Sequence, residues 1–445
     1  MNLDIIQFFN ACNPSKTLKI GQPEDQRYYV DFAPVRGGNV IRRLHRTIIH
    51  QAEQATCQLF TGHIGCGKST ELFRLKAQLE DDGFHVVYFE SSADLDMGDV
   101  DITDILLAMT QQITSSLETA KIYLKPNYFV NLFQEIEEFL KSPIEFSSGS
   151  GISLHLGIGK ITAKTKDSPR LRSQLRQYLE PRTAGILDAI NQEIIGQATE
   201  RLKKQGKKGL VVIVDNLDRV DISPKASGRS QPEYLFLDRG EQLKRLNCHV
   251  VYTIPLVLIF SNEFSALTNR FGVKPLVLPM VAATKRDGSA YHEGMQLLRK
   301  MVLARAFPHL LVSEREPLVT EVFDTSDTLD RLCQISGGHV RNLLVLLYSC
   351  LQEDDPPIRR ENLERVIREY RDDMVAAIND DEWTLLHHVI EHHDIVQGEE
   401  EYEILLRSLF LLEYRDSEGR WFGINPAIAE SKKFKQGGSD ESGDN

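Results

Sequence analysis

Residues 61–70 read TGHIGCGKST, and no other stretch of the chain restricts its fold as tightly. Gly62, four residues, then Gly67, Lys68 and Ser69 give the full spacing of a P-loop. A short apolar strand precedes it at 56–60, and a helix starts near Ser69. Gly62, Gly65 and Gly67 let the backbone turn tightly. The run His63, Ile64, Gly65, Cys66, Gly67, Lys68, Ser69 and Thr70 can then bring its N–H groups against phosphate oxygens, above a helix N-terminus that favours anions. Lys68 supplies a mobile cation for the β- and γ-phosphates. The Ser69 hydroxyl is a hard oxygen suited to Mg²⁺. The ligand this pattern predicts is ATP with Mg²⁺.

The second anchor is GLVVIVDNLDR at 209–219. Its unbroken apolar run describes a parallel strand buried on both faces. Asp215 sits at the C-terminal edge, where doubly wound sheets place ligands. Asp215 is thus the Walker B carboxylate, a metal ligand directly or through water. Further strand-like runs at 84–90, 248–254 and 274–279 alternate with helical segments. That order predicts an α/β fold: a three-layer P-loop NTPase core with a parallel sheet, followed by a helical lid and a winged-helix domain.

The expected organisation is a leader at 1–55, a core at 56–280 with a helical and hairpin insertion at about 120–205, a lid at 281–375, a winged helix at 376–430 and a disordered acidic tail at 431–445. In the leader, the extended piece at 28–32 lies just before the P-loop strand. Tyr29 and Asp31 are therefore weighed as neighbours of a nucleotide base, against plain core packing. Residues 152–163 alternate between apolar and polar between glycines, which predicts a hairpin or flap. The basic stretch at 170–208 interleaves with Glu and reads as a solvated helical face.

Six cysteines stand singly, without a CxxC pair, as buried thiols in a reducing compartment do. No apolar run approaches the ~18 residues needed to span a bilayer. A cytoplasmic protein without a membrane segment is expected. His388 and His392 have helical metal-site spacing beside His387 and His393, but no HExxH pattern accompanies them. The net charge of −12 argues against a dominant nucleic-acid surface. Between residues 376 and 430, thirteen acids stand against three arginines, 407, 415 and 420. Phosphate contacts supply most DNA affinity, so this unit disfavours DNA and suits a protein contact.

Together, TGHIGCGKST, VVIVDNLDR, the strand CHVVYTIP, the turn SGGHVR and the terminal winged-helix pattern resemble P-loop ATPases of the STAND and AAA+ branch, especially prokaryotic STAND-type and Orc/Cdc6-like members. The resemblance covers most of residues 20–430. It implies that Lys68 and Ser69 bind phosphate and Mg²⁺ and that Asp215 holds the metal. It further implies that Thr253 is the polar sensor-1 residue near the γ-phosphate and Arg341 the sensor-2 arginine. Arg270, in ALTNRF, falls where the family places an arginine finger used across a subunit boundary. Surface ion pairing is the plainer alternative for Arg270 and for Arg219. One departure matters. Asn216 follows Asp215 where hydrolytic members carry an acid, and an amide orients water without accepting its proton. Asp218, three residues on, takes that role in members with a DxxD arrangement.

These readings point to an ATP-binding, slowly hydrolysing switch that changes shape or self-association, or acts on a separate effector protein. The alternatives are an Orc/Cdc6-like or transposition-type DNA-associated ATPase and a nucleotide-stabilised scaffold without turnover.

Overall fold

The computed structural model describes residues 3–124, 126–140, 159, 168–225, 228–392, 395 and 400–437. The alternating stretch expected to form a hairpin or flap lies outside them apart from residue 159, as do His393 and the tail from residue 438.

The fold is α/β. Five parallel strands, β1 (Cys57–Thr61), β2 (His85–Glu90), β3 (Leu210–Asp215), β4 (His249–Thr253) and β5 (Leu276–Val277), form one sheet in the order β2-β3-β4-β1-β5. All six residues of β3 are buried, as its apolar run requires. β5 is shorter than the 274–279 run suggests because Pro275 and Pro279 bracket it and neither can donate to a ladder. Alternate strand residues enter two separate cores. Leu59, Val87, Val212, Val250 and Tyr252 face one side, while Phe60, Val86, Val211, Ile213 and Val251 face the other.

Helices cover both faces. The N-terminal helix α1 (Ile5–Ala11) packs away from the sheet, placing Phe8 in a helical core with Leu298, Leu332 and Leu347. The first part of the leader therefore joins the later helical region. Residues 28–32 are not a strand; they run between short helices at Pro23–Gln26 and Ala33–Val35. Next come α2 (Val40–His50) and α3 (Lys68–Asp81), whose apolar stripes bury Ile41, Leu44, Leu72 and Leu75 on one face of the sheet. On the other face lies α4 (Ile102–Thr119), held at its start by a capping box from Asp101 and Asp104.

The basic insertion helices behave differently from the solvated face expected of them. Arg172 is buried and pairs with Asp96 at 2.7 Å and Asp99 at 3.1 Å; Arg176 pairs with Asp99 at 2.6 Å and also with Asp104. The acidic stretch after β2 supplies these counter-ions, a long-range pairing that helical periodicity does not carry.

The segment after the sheet is helical and includes α5 (His292–Ala306) and α6 (Val340–Glu353). The chain closes with α7 (Asp380–His392), α8 (Glu400–Arg407) and an antiparallel hairpin of β6 (Leu411–Arg415) and β7 (Arg420–Ile424). This unit is not loosely appended. Leu412, Tyr414 and Trp421 share a core with Phe60 and Leu72, while Leu386, Leu405 and Phe422 join the core on the opposite face of the sheet. Fully burying side chains of this size is worth about 1.5–3 kcal/mol each, so the hairpin holds the P-loop end of the sheet firmly.

Candidate functional site

The loop between β1 and α3 turns over the C-terminal edge of the sheet. Gly67 caps α3 in a left-handed conformation, leaving the first N–H groups of the helix directed at the loop. Beside it opens a cleft of about 900 Å³, its mouth included. P-loop residues 64–70 line one wall, Asn216, Asp218 and Arg219 a second, and Val340, Arg341 and Leu344 of α6 a third. Tyr28, Tyr29 and Phe32 close the far end.

Positive charge gathers here. Lys68 is 7% exposed, and its ammonium donates to the carbonyls of Gly62 at 2.7 Å and His63 at 2.9 Å. It also pairs with Asp218 Oδ2 at 2.9 Å. Burial pulls the lysine down, but the surrounding groups, Asp218 first and then Cys66 and Asp215, together outweigh it, and the net shift is upward. Arg36 is buried against the loop, donates to the Cys66 carbonyl at 2.6 Å, and keeps a buried Nε without a partner among the described residues. Arg341 and Arg219 also line the cleft, and neither forms an ion pair among the described residues. Burial and then the proximity of Arg219 lower Arg341. Two adjacent guanidinium groups that repel each other in a half-buried cleft would be relieved by an anion.

The carboxylate side is equally ordered. Asp215 Oδ2 accepts from Tyr88 Oη at 2.6 Å, Oδ1 accepts from the N–H of Asn216 at 2.7 Å, and the side chain is hydrogen-bonded to Ser69. Burial, and then Asp218, raise it. Asn216 sits at φ 63°, and its amide reaches Ser92 Oγ at 3.3 Å and Glu90 Oε2 at 3.5 Å. The acid missing after Asp215 is thus matched by one at the end of the neighbouring strand. Ser69 and Asp215 form a set of hard oxygens in contact, which fits Mg²⁺.

The later parts of the chain grip the loop at three successive residues. His63, buried, accepts the N–H of Glu413 on Nε2 at 2.9 Å, and its Nδ1–H donates to the carbonyl of Leu406 at 3.2 Å. His339 Nε2–H donates to the carbonyl of Ile64 at 2.8 Å, with Nδ1 accepting from the N–H of Asn342. The N–H of Arg341 donates to the carbonyl of Gly65 at 3.2 Å. Gly65, at φ 86°, has no room for a side chain, because a Cβ there would stand 2.8 Å from both Arg341 Cβ and His339 Nε2. Gly338 presses on the core the same way, its missing Cβ 1.6 Å from the carbonyl oxygen of Val281.

Of the residues expected from sequence, the structure brings together the P-loop, Asn216, Asp218 and Arg341 in the cleft, with Asp215 behind Ser69. Thr253 is not in that wall. Its hydroxyl is fully buried, accepts from the N–H of Leu217 at 3.0 Å and donates to the carbonyl of Val214 at 3.3 Å, pinning the turn after β3. Arg270 lies on the helix at Phe264–Phe271 and packs along Gly240, outside the cleft. Tyr29 lines the cleft and donates to Glu71 at 3.1 Å, whereas Asp31 pairs with Arg74 at 3.0 Å. His388 bonds Tyr402 through Nδ1 at 2.9 Å and stacks on His392. The parts played by Arg36, Tyr88 and Glu90 are not legible in sequence, because each lies far from the motif and meets the site through folding; His63 stands inside the motif and His339 inside SGGHVR, but the groups they bond lie elsewhere in the chain.

Among the described residues, no helix is long and apolar enough to cross a membrane. No family model matches the chain, and no curated protein matches it. Solved structures give loose likenesses. Cdc6p from Pyrobaculum aerophilum aligns over 93% of this chain and 97% of its own at 12% identity and a TM-score of 0.38. A Walker-type ATPase of Pyrococcus abyssi aligns over 95% and 98% at 11% identity and a TM-score of 0.39. The ORC2 protein of Aeropyrum pernix, solved with ADPNP and ADP, aligns over 97% and 96% at 12% identity and a TM-score of 0.36. At these scores none of the three bears on ligand, activity or assembly.

Proposed function

We propose that this chain binds Mg-ATP in the P-loop cleft, hydrolyses it slowly and uses the exchange as a conformational switch. The observation that carries the reading is the grip on the P-loop. Residues 63, 64 and 65 are each bonded to the C-terminal half, so the loop cannot reshape around phosphate without that half responding. Lys68, Arg36 and Arg341 would hold the phosphates, and Ser69 and Asp215 would hold Mg²⁺, whose positive charge would offset the negative charge developing on the phosphate oxygens. Tyr28, Tyr29 and Phe32 offer apolar and aromatic surface for the base. Asn216 would orient water, and Asp218 would take its proton once clear of Lys68. With one carboxylate already engaged and an amide in the usual acid position, slow turnover follows. Arg270, remote from its own cleft, would act as a finger only from a neighbouring copy. The helix–helix–hairpin unit is read as a winged helix used for protein contact.

The test is ATP turnover and light scattering on one sample, with and without Mg-ATP, for the wild type, Lys68→Ala and Arg270→Ala. The switch reading expects Lys68→Ala to lose binding, and wild type to change size or protease sensitivity on Mg-ATP. A wild type that binds no Mg-ATP, or binds it with no change in shape or assembly, overturns it. Loss of turnover with retained binding in Arg270→Ala assigns the finger.

A further inference from the structure

Lys68 is already saturated. Its ammonium has three N–H bonds, and three acceptors take them: the carbonyl oxygens of Gly62 and His63 and Oδ2 of Asp218. Both members of the ion pair are shielded from water, the lysine side chain 7% exposed and the aspartate 6%. A phosphate oxygen can reach Lys68 only by displacing one of the three. The two carbonyls belong to the backbone of the turn itself and cannot withdraw without unfolding it. The carboxylate is on a side chain, in the short 3₁₀ turn Leu217–Arg219 that follows left-handed Asn216. Its second oxygen, Oδ1, is buried and has no hydrogen-bond partner among the described residues. A half-satisfied carboxylate beside the repelling Asp215 is the member of this set that gives way at least cost. Asp218 lines the same open cleft as Arg219 and Arg341, two cations without an ion pair among the described residues.

We propose that Asp218 is a built-in counter-anion that occupies Lys68 in the nucleotide-free protein and is displaced by the incoming phosphate. This deepens the nucleotide reading above and rests on it. The consequence is a site that masks itself. Asp218 competes with phosphate for one cation, and it becomes an unpaired carboxylate at the reacting end of the cleft only after phosphate has seated. A weak apparent affinity and a base released by the substrate come from the same pair.

Binding of a fluorescent ATP analogue in EDTA, which keeps metal out of the measurement, separates the possibilities for full-length wild type, Asp218→Asn and Asp215→Asn. Removing one member of a buried pair leaves the other uncompensated until phosphate arrives, so Asp218→Asn should bind about tenfold more tightly than wild type. Asp215→Asn removes the same charge nearby without freeing Lys68 and should gain less than about threefold. Asp218→Asn should also melt lower without nucleotide and recover more on saturation than wild type does. Asp218→Ser carries the same expectations if the asparagine variant does not fold. Unchanged or weaker binding by the Asp218 variants overturns the proposal while leaving ATP binding intact. Equal tightening in Asp215→Asn overturns it too, showing a general charge effect. A wild type that binds no nucleotide, with or without Mg²⁺, removes both this proposal and the reading beneath it.

Discussion

Two parts of the C-terminal half hold the same loop, and they do so on different terms. Helix α6, the lid of the proposed switch, bonds, together with its capping residue, the carbonyls of Ile64 and Gly65 and also presents Arg341 to the cleft. The β6–β7 hairpin bonds His63 and presents nothing to the cleft from β6 or β7. The first clasp touches both the loop and whatever binds it; the second touches the loop and, through Tyr414 Oη on the carbonyl of Gly337 at 2.7 Å, the turn that leads into α6. A ligand can therefore act on the lid by direct contact, but on the hairpin only through the P-loop or through the lid. That difference is what a relay needs: one element that senses and one that reports.

The sharpest way to break the comparison is at the lid clasp. Gly65→Ala forces a side chain into a positive-φ position against Arg341 and His339, at a cost of about 3–5 kcal/mol. The expected result is a lid displaced from the loop, nucleotide binding weakened at least a hundredfold, and a lower melting temperature. Retained binding would show that the lid does not sense ligand. At the hairpin clasp, His63→Ala strands the buried N–H of Glu413 and carbonyl of Leu406, costing about 2–3 kcal/mol. Here nucleotide affinity should stay within about threefold. Hydrogen exchange in residues 400–437 should rise, and should no longer respond to nucleotide. If affinity falls as far as in Gly65→Ala, the two clasps are one.

Both clasps depend on neutral imidazoles. Burial, and then the nearby His339 and Lys68 charges, hold His63 down to about 3; burial holds His339 down to about 4 against its bond to Ile64. A folded-state value below the unfolded one means the unfolded chain binds the proton first. Stability is then complete above pH 6.5 and falls as pH drops through 6.5 toward those values, by about 1 kcal/mol per histidine per pH unit. Between pH 7.5 and 5.5, His63→Gln or His339→Asn should each lose about 1 kcal/mol less stability than wild type does, read by thermal unfolding. A wild-type slope no steeper than that of either variant would mean the rings are not locked neutral.

The sequence made some of this visible and hid the rest for a physical reason. The P-loop and the strand ending at Asp215 are local patterns: strand, glycine-rich turn and helix follow from residues a few positions apart, and the structure forms those elements there. Lys68 meeting Asp218 was not legible, because the pair joins strands that are not neighbours in the sheet. Thr253 has the right place in order along the chain but the wrong surroundings: the turn after β3 takes up its hydroxyl. His63 reads as a filler position in the motif and proves to be the hairpin's anchor, since nothing in GHIGCGKS announces what will pack against it. The same holds for Arg172 and Arg176, whose partners lie some 70 residues earlier in the chain.

Glu413 supplies the most specific test of the hairpin clasp. Its N–H anchors His63, yet its carboxyl is buried with Oε2 lacking a hydrogen-bond partner among the described residues, and burial raises it to about 7 despite the arginines at 415 and 420. A carboxyl raised in the fold stabilises only while protonated. Its contribution is complete below the unfolded value near 4.5 and drains away as pH rises through 7. This runs opposite to the histidines, so the hairpin clasp is opposed from both sides and should be tightest between them, near neutral or slightly below. Glu413→Gln keeps the shape and removes the charge. It should leave stability unchanged at pH 4.5 and raise it by about 3 kcal/mol at pH 8, read as a higher melting temperature and slower exchange at the His63-bonded amide. The backbone bond to His63 is retained in the variant, so a gain at pH 8 without altered nucleotide affinity would separate the hairpin's stability from the lid's sensing. A loss at pH 8 would mean that the carboxylate is held by Arg415 or Arg420 and that the charge strengthens this clasp.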